Sequence, residues 1–485
     1  MMAAMVMAED DLDKRAPGTG AVPPAPRTTP SGAVSRWGPR LVVIGLVLAA
    51  LNLRPAISGL GPLLAEVRDG LGMNGTVAGL LTSVPPLCFA VFGPLAPRLA
   101  RRWGPAAVVL AGMAAITLGL ALRPLANGTV TFLAASALAL AGIAVGNVLM
   151  PVVVKRWFPD RVGAMTGLYS MALAVGTSLA AAVTVPMTQA LGGSWRVGLA
   201  TWAFLALGAL VPWAAILGGR AGRAPAPDGG RDRAGETEGR TAGESPAAVL
   251  GSRPDAANAA GRATTSDDPR SGPAADPRAG APEGSEAGAA GAGVRIARSP
   301  TAWALGVFFG LQASAAYITM GWLPQIFRDA GVPASSAGLM LAVTMGTGIP
   351  LSFVLPKVAV RMRHQGPLVI ALSTCGLASY AGLWFAPGAG SWLWAILLGV
   401  SNCTFPLVLT LIGMRARTAD GVVKLSAFAQ STGYLISVPG PLLVGALHDA
   451  SGGWRVPLVL MTGLMLTQMA VGVLAGRDRV VEDDG

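Results

Sequence analysis

Long apolar blocks separated by short polar breaks make up most of the chain. The blocks fall at about 41–63, 76–97, 105–123, 129–153, 162–187, 196–217, 300–323, 335–356, 367–386, 391–413, 423–447 and 455–475. Each is close to the roughly 20 residues that carry a helix, at about 1.5 Å per residue, across the hydrocarbon of a bilayer. The pattern predicts an all-α polytopic membrane protein with twelve transmembrane helices. Two longer polar stretches interrupt it. Residues 1–39 are rich in Pro and Gly and lack the apolar core of a secretory signal. Residues 218–299 carry 11 Arg and 11 Asp or Glu, with no aromatic residue. Neither stretch buries enough apolar surface to offset its ordering entropy, so both are expected to be disordered. The division that follows is a tail 1–39, a six-helix bundle 40–217, a linker 218–299, a second six-helix bundle 300–476 and a tail 477–485.

The two sets of six helices repeat one another. Asn52 in AALNLRP answers Gln312 in FGLQASA, and Arg68-Asp69 answers Arg328-Asp329. Gly79 answers Gly338, and Gly104-Pro105 answers Gly366-Pro367. Asn147 and Pro151 in GNVLMP match Asn402 and Pro406 in SNCTFP, and Trp195-Arg196 matches Trp454-Arg455. The offsets stay between 255 and 262 in chain order, as a duplicated unit with small insertions requires. Six spans per copy leave both copies in the same orientation. Two parallel pseudo-symmetric halves of this kind resemble the architecture of major facilitator superfamily transporters.

Charge fixes the orientation. The formal net charge of +11 invites a nucleic-acid reading, which the placement of the basic residues rejects. With both termini and the linker cytoplasmic, thirty Lys and Arg lie on the inner side and five (Arg68, Arg123, Arg196, Arg328 and Arg455) on the outer side. That is the positive-inside pattern of a multi-pass protein of the cell membrane. The three cysteines, Cys88, Cys375 and Cys403, all fall in apolar blocks, which argues against a disulfide framework or a zinc site. Trp322 and Trp392, near block ends, are expected to anchor at the interfaces.

Between the second and third blocks, FGPLAPRLARRWGP resembles the superfamily's Gly-x-x-x-Asp-Arg-x-Gly-Arg-Arg signature. Gly93, Arg98, Arg101 and Arg102 fit this conformational loop, while Pro97 replaces the acidic residue. The resemblance implies that the loop helps latch the halves, and Pro97 means that the latch differs here. More specifically, LNLRPAISGLGPLLAEV, SVPPL and GNVLMPVVVKRWFP resemble the cyanate-transporter family, which includes a 2-nitroimidazole transporter. Membership implies a small polar or anionic substrate.

Arg54 is the residue that demands an account. It follows Arg40 by 14 positions, which places it roughly 20 Å along a helix. Arginine at such a depth costs about 2.5–3.5 kcal/mol on insertion scales, so it must face a wet cavity or a partner. All 25 Asp and Glu fall outside the apolar blocks, leaving Arg54 without a carboxylate on any span. Either Arg54 locks helices by donating to backbone carbonyls freed by Pro55 or to Asn52 and Asn147, or the missing anion is the substrate. A guanidinium presents a fork of donors suited to small planar anions. The resemblance implies that spans 1, 4, 7 and 10 line the central cavity. Asn52, Asn147, Gln312, Tyr317 and Asn402 lie on them and are candidates to complete a site around Arg54, with Tyr169, Gln430 and Tyr434 on spans 5 and 11 as further candidates.

None of the four lysines follows the glycine loop of a nucleotide site, so no cofactor and no ATPase are expected. Without a membrane carboxylate, proton coupling stays open; Glu66 and Asp69 read as residues of a solvated outer loop. The sequence supports a secondary transporter, expected as a monomer, whose partners are a small solute and the lipid bilayer. A multidrug or metabolite exporter of the same superfamily is the alternative. A receptor without transport would need a folded cytoplasmic output domain, and an enzyme a catalytic constellation; neither is present in the sequence.

Overall fold

The computed structural model describes residues 38–218 and 296–484. The expected N-terminal tail up to residue 37 and the linker from 219 to 295 lie outside the described residues. Among the described residues, eleven helices are long and apolar enough to cross a membrane. Spans 1 to 6 are Arg40–Leu71, Gly75–Trp103, Pro105–Leu125, Thr129–Trp157, Pro159–Ala190 and Trp195–Gly218. Spans 7 to 10 are Pro300–Asp329, Ala334–Arg361, Gly366–Phe385 and Ser391–Met414, and span 12 is Arg455–Ala475. Span 11 completes the twelve as two shorter helices, Ala419–Ser437 and Pro439–Ser451.

Local chemistry sets these boundaries. Asn74 caps span 2 by accepting the Val77 N–H at 2.8 Å, and Thr418 caps span 11 by accepting the Gly421 N–H at 3.0 Å. Between spans 2 and 3 the turn is the single residue Gly104, whose φ of 82° lies where only glycine sits without strain. The segment from Phe92 to Trp103, expected as a loop, instead continues the helix of span 2. Pro94 and Pro97 are carried inside that helix, and Arg98, Arg101 and Arg102 project from its exposed last turns.

Odd-numbered spans run from the terminus end, where Gly38 and Asp484 lie, to a far end. At the far end the halves are packed together. One core cluster there combines Leu60, Leu64 and Leu81 from the first half with Ile318, Trp322 and Leu341 from the second. Small residues permit the approach: a side chain on Gly75 would meet the Gly445 carbonyl, and one on Gly338 the Ala181 carbonyl. Trp322 is 0% exposed, edge-on to Trp454 at 5.8 Å. The interfacial anchor expected from its place near a block end is therefore a core residue of the seam.

Candidate functional site

Span 1 breaks where the sequence places Asn-Leu-Arg-Pro. Its first helix stops at Asn52 and the next turn starts at Pro55. Proline lacks an N–H and suits a first helical position, so the break costs little in lost backbone bonding there. Arg54 occupies the break, with φ −129° and ψ −28°. Its carbonyl accepts from the N–H groups of Ile57 and Ser58 at 2.9 and 3.0 Å. That carbonyl is thus satisfied locally, which leaves the side chain for other work. Span 10 breaks one residue after Asn402, and span 11 after Ser437. The position in span 7 that matches Arg54, Ser314, is 2% exposed and donates to the Ser437 carbonyl at 3.3 Å. One copy of the repeat spends this position on mending a broken helix, and the other puts a cation there.

Arg54 faces a cavity of about 220 Å³ at mid-depth between the halves. The first half contributes Arg54, Leu173 and Thr177, and the second contributes Gln312, Tyr317, Asn402, Phe405 and Tyr434. Ser352, exposed and nearer the terminus end, also lines it. Arg54 makes no ion pair with any carboxylate among the described residues. Tyr317 and Tyr434 line the same cavity as Arg54. Gln312 is held on both sides. Its Oε1 accepts from Gln468 Nε2 at 2.9 Å and its Nε2 donates to the Asn402 carbonyl at 3.4 Å. Asn402 Nδ2 is buried without a hydrogen-bond partner. Tyr434 stacks on Phe89 with centroids 4.8 Å apart and meets the edge of Phe309 at 5.0 Å. A forked cation and two phenols therefore share one cavity with a flat aromatic wall. Such a set can hold a planar acceptor, and best an anionic one.

The remaining candidates lie elsewhere. Asn52 is 1% exposed and donates to the carbonyls of Leu48 at 2.8 Å and Leu205 at 3.2 Å, tying span 1 to span 6. Asn147, half-buried, donates to Ile143 of its own helix at 3.0 Å. Gln430 donates to Ser426 at 2.7 Å. Neither these three nor Tyr169 lines the cavity.

Sequence reasoning missed two features. Arg123, assigned to the outer surface, is 1% exposed; Nε donates to Ser136 at 2.9 Å and Nη1 to the Ala56 carbonyl at 2.8 Å. Glu66, read as a solvated loop residue, pairs with Arg328 across the seam at 2.8 Å. A second cross-half pair joins Arg68 to Asp449 at 3.6 Å, and Asp449 also accepts the Thr76 N–H at 3.1 Å. The far end is thus closed by ion pairs as well as by packing.

Residues 42–438 match the family description of the Major Facilitator Superfamily. Over 446 residues the chain is 30% identical to the 2-nitroimidazole transporter of Escherichia coli (strain K12), covering 91% of this chain and 97% of that protein. It is 27% identical over 431 residues to the cyanate transport protein CynX of the same organism, covering 88% and 95%. Among solved structures, a bacterial homolog of the human lysosomal transporter Spinster, inward-facing and occupied, aligns with a TM-score of 0.63 at 13% identity. That alignment covers 91% of this chain and 96% of the other.

Proposed function

The chain belongs to the major facilitator superfamily, and from that premise we propose that it is a secondary transporter in which Arg54 anchors a small anionic or strongly polar planar solute. One observation carries the reading: a guanidinium at mid-depth, without an ion pair among the described residues, opens into a cavity large enough for a small organic molecule. An unpaired charge in a low-dielectric interior is costly, and an anionic ligand is what removes that cost. Tyr317 and Tyr434 supply further donors, and Gln312 fixes the Asn402 turn. Most of the other lining is apolar, including Leu173, Met320, Ile349 and Phe405. This favours a solute with a flat apolar body and a polar edge, such as a nitroimidazole-like compound, over a bare inorganic ion; a cyanate-like anion needs only the Arg54 end of the cavity. The relatives named as a 2-nitroimidazole transporter and a cyanate transport protein fall in the same two classes.

Transport then proceeds by alternating access, the halves rocking about the mid-depth site. The charge count supports termini and linker on the cytoplasmic side, so the latched far end faces outward and the cavity is approached from the cytoplasm. The apolar lining also supports the rival reading of an exporter for uncharged heteroaromatics. Uptake of radiolabelled cyanate and of 2-nitroimidazole into proteoliposomes, with wild type, Arg54→Lys and Arg54→Ala, separates the two. The anchor reading expects both variants to fail, because a lysine keeps the charge but loses the planar fork. Unchanged kinetics in either variant overturns it.

A further inference from the structure

Arg123 is a further buried arginine, near the seam, and its bonding is incomplete. Nε and Nη1 are occupied by Ser136 and the Ala56 carbonyl, and the Phe132 ring lies 5.7 Å from Cζ. Nη2 is buried with no hydrogen-bond partner, and no carboxylate among the described residues pairs with this side chain. A residue serving only as a tie between spans 1, 3 and 4 has no use for that third group, and burying it unsatisfied is unfavourable.

Arg123 lines a small cavity of about 20 Å³, the size of one water molecule, from which Nη2 itself is shielded while the halves are together. The cavity lies on the seam: Ala56, Gly61 and Thr82 face it from the first half, Tyr317 and Gly321 from the second. Its two sides are pressed together, since a side chain on Gly61 would meet the Met320 carbonyl and one on Gly321 the Thr82 methyl. Parting the halves at the far end therefore widens this space. Tyr317 lines it and the Arg54 cavity alike, and Ala56, which holds Arg123, is two residues from Arg54. Two uncompensated guanidinium groups thus flank one short turn of span 1, with a phenol shared between their cavities.

We propose that Arg123 is a second anion-binding station, on the far-end side of the central site, where Nη2 takes a monovalent anionic group. The group is either the head of the transported solute, on its way to or from Arg54, or a small inorganic anion held beside it. This deepens the reading of Arg54 as a substrate anchor and rests on it for the first source only.

Bromide is the probe, used on the purified full-length chain. Crystals grown in bromide are expected to show an anomalous peak within hydrogen-bonding distance of Arg123 Nη2. Bromide-dependent thermal stabilisation is expected to weaken roughly tenfold or more in apparent affinity in Arg123→Gln. In Arg54→Gln it is expected to persist. No peak at Nη2 in the unmutated protein overturns the proposal even if Arg123→Gln does not fold. Equal bromide affinity in a folded Arg123→Gln protein overturns it as well. Displacement of the bromide by 2-nitroimidazole or cyanate assigns the station to the solute, whereas retention assigns it to an inorganic anion. The anchor reading fails separately, through intact transport in Arg54→Gln, whatever bromide does at Arg123.

Discussion

Four arginines set two regions of this molecule against each other. At the far end, Arg328 and Arg68 each reach a carboxylate of the opposite half, in positions that stay partly open to solvent. At mid-depth and just beyond, Arg54 and Arg123 find no carboxylate among the described residues. A partly exposed ion pair contributes little energy, but it selects one arrangement of the halves. An unpaired guanidinium beside a cavity selects nothing by itself, and keeps its donors for whatever arrives. Under the proposed function the same side chain is a latch in one region and a receptor in the other, and the availability of a carboxylate decides which.

The sharpest way to break this comparison is Arg54→Ala. It is expected to lower transport kcat/KM by roughly a hundredfold, the loss of a charge-assisted contact in a desolvated site. Its thermal midpoint is expected to hold or rise, because a half-buried unpaired charge has gone. A lowered midpoint with intact transport would turn Arg54 into a structural tie. Second comes the packing behind the latch. In Gly445→Val the new side chain meets the Gly75 carbonyl and Trp322, and overpacking of this kind costs about 1–3 kcal/mol. The closed far end is expected to lose population, read as a longer distance between spin labels at Asn127 and Ala389; an unchanged distance distribution shows that the seam absorbs the methyl groups.

Smaller again is the latch itself. A double-mutant cycle of Glu66→Gln with Arg328→Gln, read with the same labels, is expected to give a coupling of about 0.2–1 kcal/mol. Zero coupling would leave closure to packing alone. The least effect is at the terminus end, where Asp484 accepts bonds from Ser299 and the Thr301 N–H. Burial pushes its carboxyl up, but those bonds and Arg479 outweigh burial and hold it below the usual range. Its contribution is therefore present above the unfolded carboxyl's pKa and is lost as pH falls through the lowered one. Hydrogen exchange at Val481–Asp484 is expected to quicken only at that acidic limit, and a rise already at neutral pH would refute the docking.

The fold was legible because the bilayer enforces a length and an apolar composition on each span, and because the repeat marks the two halves independently. Arg54 was legible for the same reason: a cation in an apolar block is anomalous whatever surrounds it. Gln312, Tyr317, Asn402 and Tyr434 share its cavity, whereas Asn52 and Asn147, equally polar in sequence, bond to backbone. Polarity alone does not report which way a helix is turned. Arg123 escaped because it ends an apolar block just before Pro124, where a charge ordinarily reaches water; only Ser136 and the Ala56 carbonyl, 13 and 67 positions away, bring it inside. The Glu66–Arg328 pair spans 262 positions and is invisible to any local pattern.

The fixed cation at Arg54 also bears on how such a protein meets the membrane potential. A bound monovalent anion cancels the charge at mid-depth, so under the proposed function the loaded bundle is electrically silent there and the empty one is not. Voltage then acts on the return of the empty carrier and leaves the cargo-bearing step alone, with work of up to about 2.3 kcal/mol per 100 mV for a full charge crossing. The potential would set the pace of resetting and, because each cycle moves one net charge, would join the solute gradient in setting the direction of net flow.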